Sequence, residues 1–327
     1  MAGTLTIVSD IHYAGPAERA RGHDFEFRGV TNPARRAFLK LYRDLVWMRR
    51  PLSQYYLLDE FLSRAPAGGL VIANGDFTCN SDFVGISDDA SCASARECLE
   101  KLRNHFGAEN VRATIGDNDL GKLSFGAGLG GMRLESYRRV RTELGIEPFW
   151  KVDFGRYAFI GVMSSLIGLP IFEPDVLPEE RAEWHKLREH HLAAVRAAFA
   201  GLGADRRVLL FCHDPTALPF LLREESVRAR LPQFEATVIG HLHSRLIFWE
   251  SRLLAGIPVV PLGHSIRRMT SALHDARCWK DFRVRLCPSL GGLELLHDGG
   301  YLTVEIDSDA RRPMKYRFHA IPRSSAS

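Results

Sequence analysis

Seven side chains in this sequence have the types and spacing of metal ligands. Asp10 and His12 stand two apart in Asp10-Ile11-His12. Asp76 closes Asn74-Gly75-Asp76, and Asp117 lies in Gly116-Asp117-Asn118-Asp119. His213 begins His213-Asp214-Pro215, while His241 and His243 share Gly240-His241-Leu242-His243. Three carboxylates and four imidazoles form a mixed donor set that suits Mn²⁺, Fe or Zn²⁺. Seven donors are too many for one tetrahedral ion. They suit two ions about 3.5–4 Å apart that share a bridging carboxylate. D-x-H and G-D are each common by chance. Two imidazoles at i and i+2 project together only from extended or loop backbone. The ordered set carries the signal, because every motif follows a strand-like run.

Those runs are the elements that must position the ligands. Residues 4–9, 69–73, 111–115, 208–212 and 236–239 are short apolar stretches that end in the motifs above. Residues 157–163 and Val259-Val260-Pro261-Leu262 read as two further strands. Helical patterns fill several gaps, at 94–106 and most clearly at 179–199, where Leu187, Leu192, Val195 and Phe199 recur at helical spacing. Strands with polar C-terminal ends and helices between them predict a layered α/β fold with its chemistry at those ends. Residues 301–306 and 314–321 alternate apolar and polar side chains across a turn-rich 307–313, which predicts a hairpin closing a second sheet. The whole chain, 1–327, reads as a single domain with two insertions, a helical one at 16–66 and another at 264–298, both rich in Arg and aromatics.

The composition, 46% hydrophobic and 25% charged, is that of a folded globular chain and argues against disorder. The net charge of +4 is too mild to imply a nucleic-acid partner by itself. None of the six cysteines forms a C-x-x-C pair, so they read as free thiols in a reducing compartment. No basic, then apolar leader opens the chain, and no window approaches 18 apolar residues. A cytoplasmic location is the expectation, with room for a peripheral place on the inner face of the membrane.

The series D-x-H, G-D, G-x-x-D, H-D and G-H-x-H, running from Asp10 towards Leu262, resembles the calcineurin-like metallophosphoesterase superfamily. The resemblance implies a four-layer fold, a two-sheet β-sandwich flanked by helices. It implies that Asp10, His12 and His243 hold one metal, that Asp76 bridges, and that Asp117, His213 and His241 hold the other, with manganese the expected ion. The third motif departs from the family's usual G-N-H-D or G-N-H-E. Asp117 replaces the asparagine ligand, and Asn118 stands where the catalytic histidine usually stands. An alkoxide leaving group needs a proton, and a general acid contributes roughly 10²–10⁴-fold. A phosphate leaving group does not need one. Asn118 therefore points to cleavage of a phosphoanhydride by direct in-line displacement, or else to a degenerate site.

Residues 35–62 suggest the substrate. Phe38, Leu41, Leu45 and Met48 fall on one helical face, with Arg36, Lys40, Arg43, Arg49 and Arg50 beside it and Tyr42, Trp47, Tyr55 and Tyr56 interleaved. Such a basic amphipathic segment lies on an anionic membrane or grips an amphiphilic ligand; an ordinary core-packed helix with a solvated basic face shows the same pattern. The missing histidine, the run from Gly116 to Lys122 and the Asp88-Asp89 stretch are similar to the UDP-2,3-diacylglucosamine pyrophosphatases of lipid A biosynthesis. That resemblance implies an acylated sugar-nucleotide substrate cleaved to UMP and 2,3-diacylglucosamine 1-phosphate, with Arg35, Arg36 and Arg43 as candidate phosphate contacts. A nucleotide phosphodiesterase or phosphatase, and a non-catalytic scaffold on the same fold, remain alternatives. Asp119 is expected to shape its loop, and His190 and His191 to be packed or solvated. His264, Arg267 and Arg268 are further candidates for the site.

Overall fold

The structure, a computed structural model, describes residues 2–124, 128–253 and 276–323. Ten strands form two five-stranded sheets. The first has the order β10 (Lys315–Ala320), β9 (Gly300–Asp307), β1 (Ala2–Val8), β2 (Leu70–Asn74) and β3 (Val111–Thr114). β1, β2 and β3 are parallel, and β9 and β10 add an antiparallel hairpin on the β1 side. The second sheet runs β4 (Phe149–Phe154), β5 (Tyr157–Val162), β6 (Arg207–Cys212), β7 (Phe234–Ile239) and β8 (Val284–Leu286). There β5 to β8 are parallel, and β4 is an antiparallel edge.

The apolar runs are continuous because the central strands are buried on both faces. Leu5, Ile7 and Ile72 of the first sheet meet Phe159, Leu209, Phe211 and Val238 of the second in the inter-sheet core. Val8, Val71 and Ala73 face outwards, under α2 (Tyr56–Arg64) and α3 (Asp89–Phe106). Val208, Leu210 and Cys212 face the other way, under Leu192, Val195 and Phe199 of α4 (Arg181–Ala200). The result is helix, sheet, sheet, helix, the layered α/β arrangement expected from the sequence. α3 begins five residues before the expected 94, because Asp88 caps it by accepting a hydrogen bond from Ser91 N–H at 2.8 Å.

Two strands were not expected. β4 alternates half-buried and exposed residues, and its Phe-Trp-Lys-Val-Asp-Phe sequence carries that signal. β8 is three residues long, too short to stand out in a periodicity. The strand expected at 259–262 lies outside the described residues.

The 16–66 segment divides in two. α2 buries Leu57, Leu58 and Phe61 and belongs to the outer core. α1 (Pro33–Tyr42), prolonged by a π-turn at Arg43–Trp47, keeps its apolar face in solvent: Phe38 is 63% and Leu45 57% exposed. Leu39 alone is buried within 33–47, so the core-packed reading of this helix does not hold. All six cysteines are free thiols. Among the described residues no helix is long and apolar enough to cross a membrane.

Candidate metal centre

The parallel strands of both sheets bring their carboxyl ends to one rim, where α/β folds collect their ligands. Asp10 and His12 follow β1, Asp76 follows β2, and Asp117 follows β3. His213 follows β6, and His241 and His243 follow β7. All are buried except His241, which is half-buried. They fall into three groups whose donor atoms lie within 4.8 Å of one another: Asp10, His12 and His243; Asp117, His213 and His241; and Asp10, Asp76 and His213. The third group shares Asp10 with the first and His213 with the second, so Asp76 lies where the two sets meet.

The backbone bends to achieve this. Asp10, His12, Asp76, His241 and His243 all have left-handed φ, between 48° and 59°. Non-glycine residues seldom adopt that region, at a cost of order 1–3 kcal/mol each. Contacts between strand ends hold the bends. Asp10 N–H donates to Gly75 O at 3.1 Å, His12 N–H to Asp76 O at 3.0 Å, and His241 N–H to the Asp10 carboxylate at 3.1 Å. Gly116 lies so close to Asp76 that a Cβ there would fall on Oδ1.

Several ligand candidates are oriented from behind. The Nδ1–H of His213 donates to Asn74 O at 2.6 Å, which turns Nε2 towards Asp76 Oδ2 (3.3 Å) and Asp117 Oδ1 (3.4 Å). His12 Nδ1 meets Thr78 O at 3.3 Å, and Ser9 Oγ donates to Asp10 Oδ2 at 2.5 Å. Asn118 clamps Asp76: its N–H donates to Oδ1 at 2.9 Å and its Nδ2 to Oδ2 at 2.7 Å. Asp119 accepts backbone N–H bonds from Gly116, Phe77 and Asp76 at 2.8–3.0 Å, so it shapes the loop.

The donor set fits a pair of divalent cations. His12 Nε2 and His243 Nδ1 are buried without a hydrogen-bond partner, and His213 Nε2 faces the Asp76 and Asp117 carboxylates at 3.3 and 3.4 Å. Burial raises the Asp10 carboxyl above its usual range, and Asp76 adds to that, despite opposition from His213. Asp119 is pushed up to about 7 by burial and by Asp76. Burial lowers His12 and His243. Burial would lower His213 too, but the Asp76 and Asp10 carboxylates outweigh it and raise His213 well above the ordinary range. Buried carboxylates beside unpartnered imidazole nitrogens are costly unless a cation compensates them.

A narrow cleft opens beside this centre, lined among others by His12, His243, Asn118, Lys122, Trp47 and Arg43. Trp47 packs on His243 with ring centroids 4.7 Å apart. The three candidate phosphate contacts separate. Arg43 lines the cleft, but its guanidinium is engaged by both oxygens of Glu26, with Nε to Oε1 at 3.0 Å. Arg35 is exposed, and Arg36 lies 3.8 Å from Asp24; neither lines the cleft. His191 is a packed histidine whose Nε2 accepts from Met163 N–H at 3.2 Å, and His190 is exposed. His264, Arg267 and Arg268 lie outside the described residues. Sequence reasoning placed Trp47 in the substrate segment and Lys122 at the end of the Gly116–Lys122 run, but gave neither a role beside the metal ligands. Trp47 belongs to an insertion and Lys122 to a loop, and neither sits in a ligand motif.

No family model and no curated protein matches the chain. Among solved structures it is similar to a purple acid phosphatase isolated from yellow lupin (Lupinus luteus) seeds. The two are 8% identical, with a TM-score of 0.42 over 99% of this chain and 53% of that one. The chain thus spans about half the length of that protein.

Proposed function

We propose that this chain is a binuclear metal-dependent phosphoesterase that hydrolyses a phosphoanhydride. The observation that carries the reading is the meeting of the two ligand groups through Asp10, Asp76 and His213. Asp10, His12 and His243 would hold one ion, Asp117, His213 and His241 the other, and Asp76 would bridge them. Two bound divalent cations, manganese in our reading, would supply acidified water and neutralise phosphoryl oxygens. The chain's own residues do the positioning. Asn74 and Thr78 carbonyls fix the faces of His213 and His12, and Asn118 holds both oxygens of Asp76. The Asn118 carboxamide, which donates to Asp76, is not an acid and cannot protonate a leaving group. This favours a phosphate leaving group, which needs none.

For the substrate we propose an acylated sugar nucleotide of the UDP-2,3-diacylglucosamine type, met at an anionic lipid surface. Support comes from the solvent-facing Phe38, Leu41, Tyr42 and Leu45, with Arg35, Arg36 and Lys40 on the same helix. A basic amphipathic helix of this kind lies in a lipid interface. Trp47 connects that segment to the metal centre through His243.

The test is hydrolysis of UDP-2,3-diacylglucosamine with added Mn²⁺, beside bis-p-nitrophenyl phosphate, for the wild type and Asp76→Ala. Release of UMP by the wild type, abolished in Asp76→Ala, is the expected result. Turnover of the aryl diester alone would retire the lipid substrate and favour a nucleotide or general phosphodiesterase. Failure of both substrates in a protein carrying two metals per chain would count against the hydrolase reading.

A further inference from the structure

We infer that Lys122 is a ligand of the substrate's phosphate and neutralises the departing oxygen, the position that Asn118 leaves without a cation. The inference rests on the phosphoanhydride reading above.

Lys122 is half-buried and lines the cleft together with His12, Asn118 and His243. Its ammonium forms no ion pair or hydrogen bond within the described residues, whereas Arg43, the other cation on the cleft wall, is held by Glu26. A half-buried ammonium without a carboxylate, beside a centre that attracts phosphate, is placed to bind an anion. Its backbone is fixed. The helical turn Asp117–Leu120 ends at Gly121, whose φ of +99° turns the chain back. A Cβ at Gly121 would collide with Gly131 O and the Val84 backbone, so the loop is pinned on both sides. Lys122 N–H then donates to Phe83 O at 3.0 Å. The Asp117–Asn118 turn and the lysine are therefore one rigid unit, and preorganised charge is effective where negative charge develops.

In the step, the oxygen of water forms a new bond to phosphorus and the bridging P–O bond breaks. The electron pair stays on the departing phosphate oxygen, the proton of water passes to the buffer, and nothing is oxidised or reduced. Lys122 keeps its proton and offsets the charge on the departing oxygen. This suits an anhydride, whose leaving group carries phosphate charge.

Two measurements test this on the Mn²⁺-loaded protein. The first is inorganic phosphate affinity by calorimetry for the wild type, Lys122→Met and Lys122→Arg. A charge-assisted contact predicts about 10–100-fold weaker binding in Lys122→Met. Lys122→Arg should recover most of it, which a merely structural lysine would not require. The second is the dependence of kcat on leaving-group pKa across substituted aryl phosphodiesters, which should steepen in Lys122→Met. Unchanged phosphate affinity in a folded Lys122→Met, or a wild type that does not bind phosphate, overturns the inference. The underlying reading fails separately: if no ester or anhydride turns over, yet phosphate affinity falls in Lys122→Met, the anion site stands and the hydrolase does not.

Discussion

The side-chain amide of Asn118 donates to Asp76 Oδ2 at 2.7 Å while its backbone N–H donates to Oδ1 at 2.9 Å. One residue thus fixes both oxygens of the carboxylate at the meeting point of the two ligand groups. Asn118→Ala removes the side-chain half of that clamp. Loss of a residue that orients a metal ligand typically costs 10–100-fold in metal affinity. We expect a drop of about that size for Mn²⁺, read by calorimetric titration, with the fold intact by circular dichroism. An unchanged affinity would show that the clamp does not act on the metal.

Without cations, Asp10, Asp76 and Asp117 lie buried close together, offset by neighbouring imidazoles and by the neutral donors of Ser9, Asn118 and the His241 N–H. Chelation is therefore expected to lower the thermal midpoint, and added Mn²⁺ to restore it as its concentration rises. A ligand at 100 times its Kd stabilises by about 2.7 kcal/mol, which for a chain of this size is a shift of roughly 4 °C. Differential scanning calorimetry of stripped and reloaded protein reads this directly. Coincident melting curves would argue that no cation belongs at the site.

The exposed face of α1 gives a prediction with opposite signs for stability and binding. Phe38 and Leu45 are solvent-exposed, so replacing both with Asp should leave the thermal midpoint nearly unchanged. The same change removes apolar area and adds negative charge to a basic segment, and should release the protein from vesicles containing anionic lipid. Sedimentation with such vesicles is the measurement. Equal binding by the wild type and the double variant would remove the lipid surface from the proposal.

His191 supplies a pH dependence independent of the metals. Burial, with a smaller push from His190, lowers it to about 3, and its Nε2 accepts from Met163 N–H. In the unfolded chain it titrates near 6.5. The unfolded state therefore binds more protons below that pH, and stability falls from about pH 6.5 towards pH 3. By pH 5 the loss is about 2 kcal/mol. His191→Gln keeps an acceptor for Met163 but cannot titrate. The stability difference between pH 7 and pH 5, from urea unfolding of chelated protein, should shrink by that amount. An equal pH dependence in both proteins would place the titration elsewhere.

How much of this was legible beforehand follows from which properties are local. A strand followed by Asp, Gly-Asp or Gly-His-x-His is written in consecutive residues. So are the helical spacing of 179–199 and the alternation of the C-terminal hairpin. The sequence by itself therefore determined the donor types, their order and the layered α/β plan, because residue chemistry and side-chain period are short-range. It did not determine β8, whose three residues form a strand only because β7 lies beside them.

The rest is a matter of distance in space. His241 N–H reaches the Asp10 carboxylate across 231 residues of chain. The left-handed φ of five ligand candidates persists only because neighbouring strand ends hold it. The partner of the Asn118 amide, the pairing of Arg43 with Glu26 and the solvent exposure of Phe38 and Leu45 are likewise tertiary facts. An amphipathic period is the same whether a helix packs on a core or faces water, and only what lies against it decides.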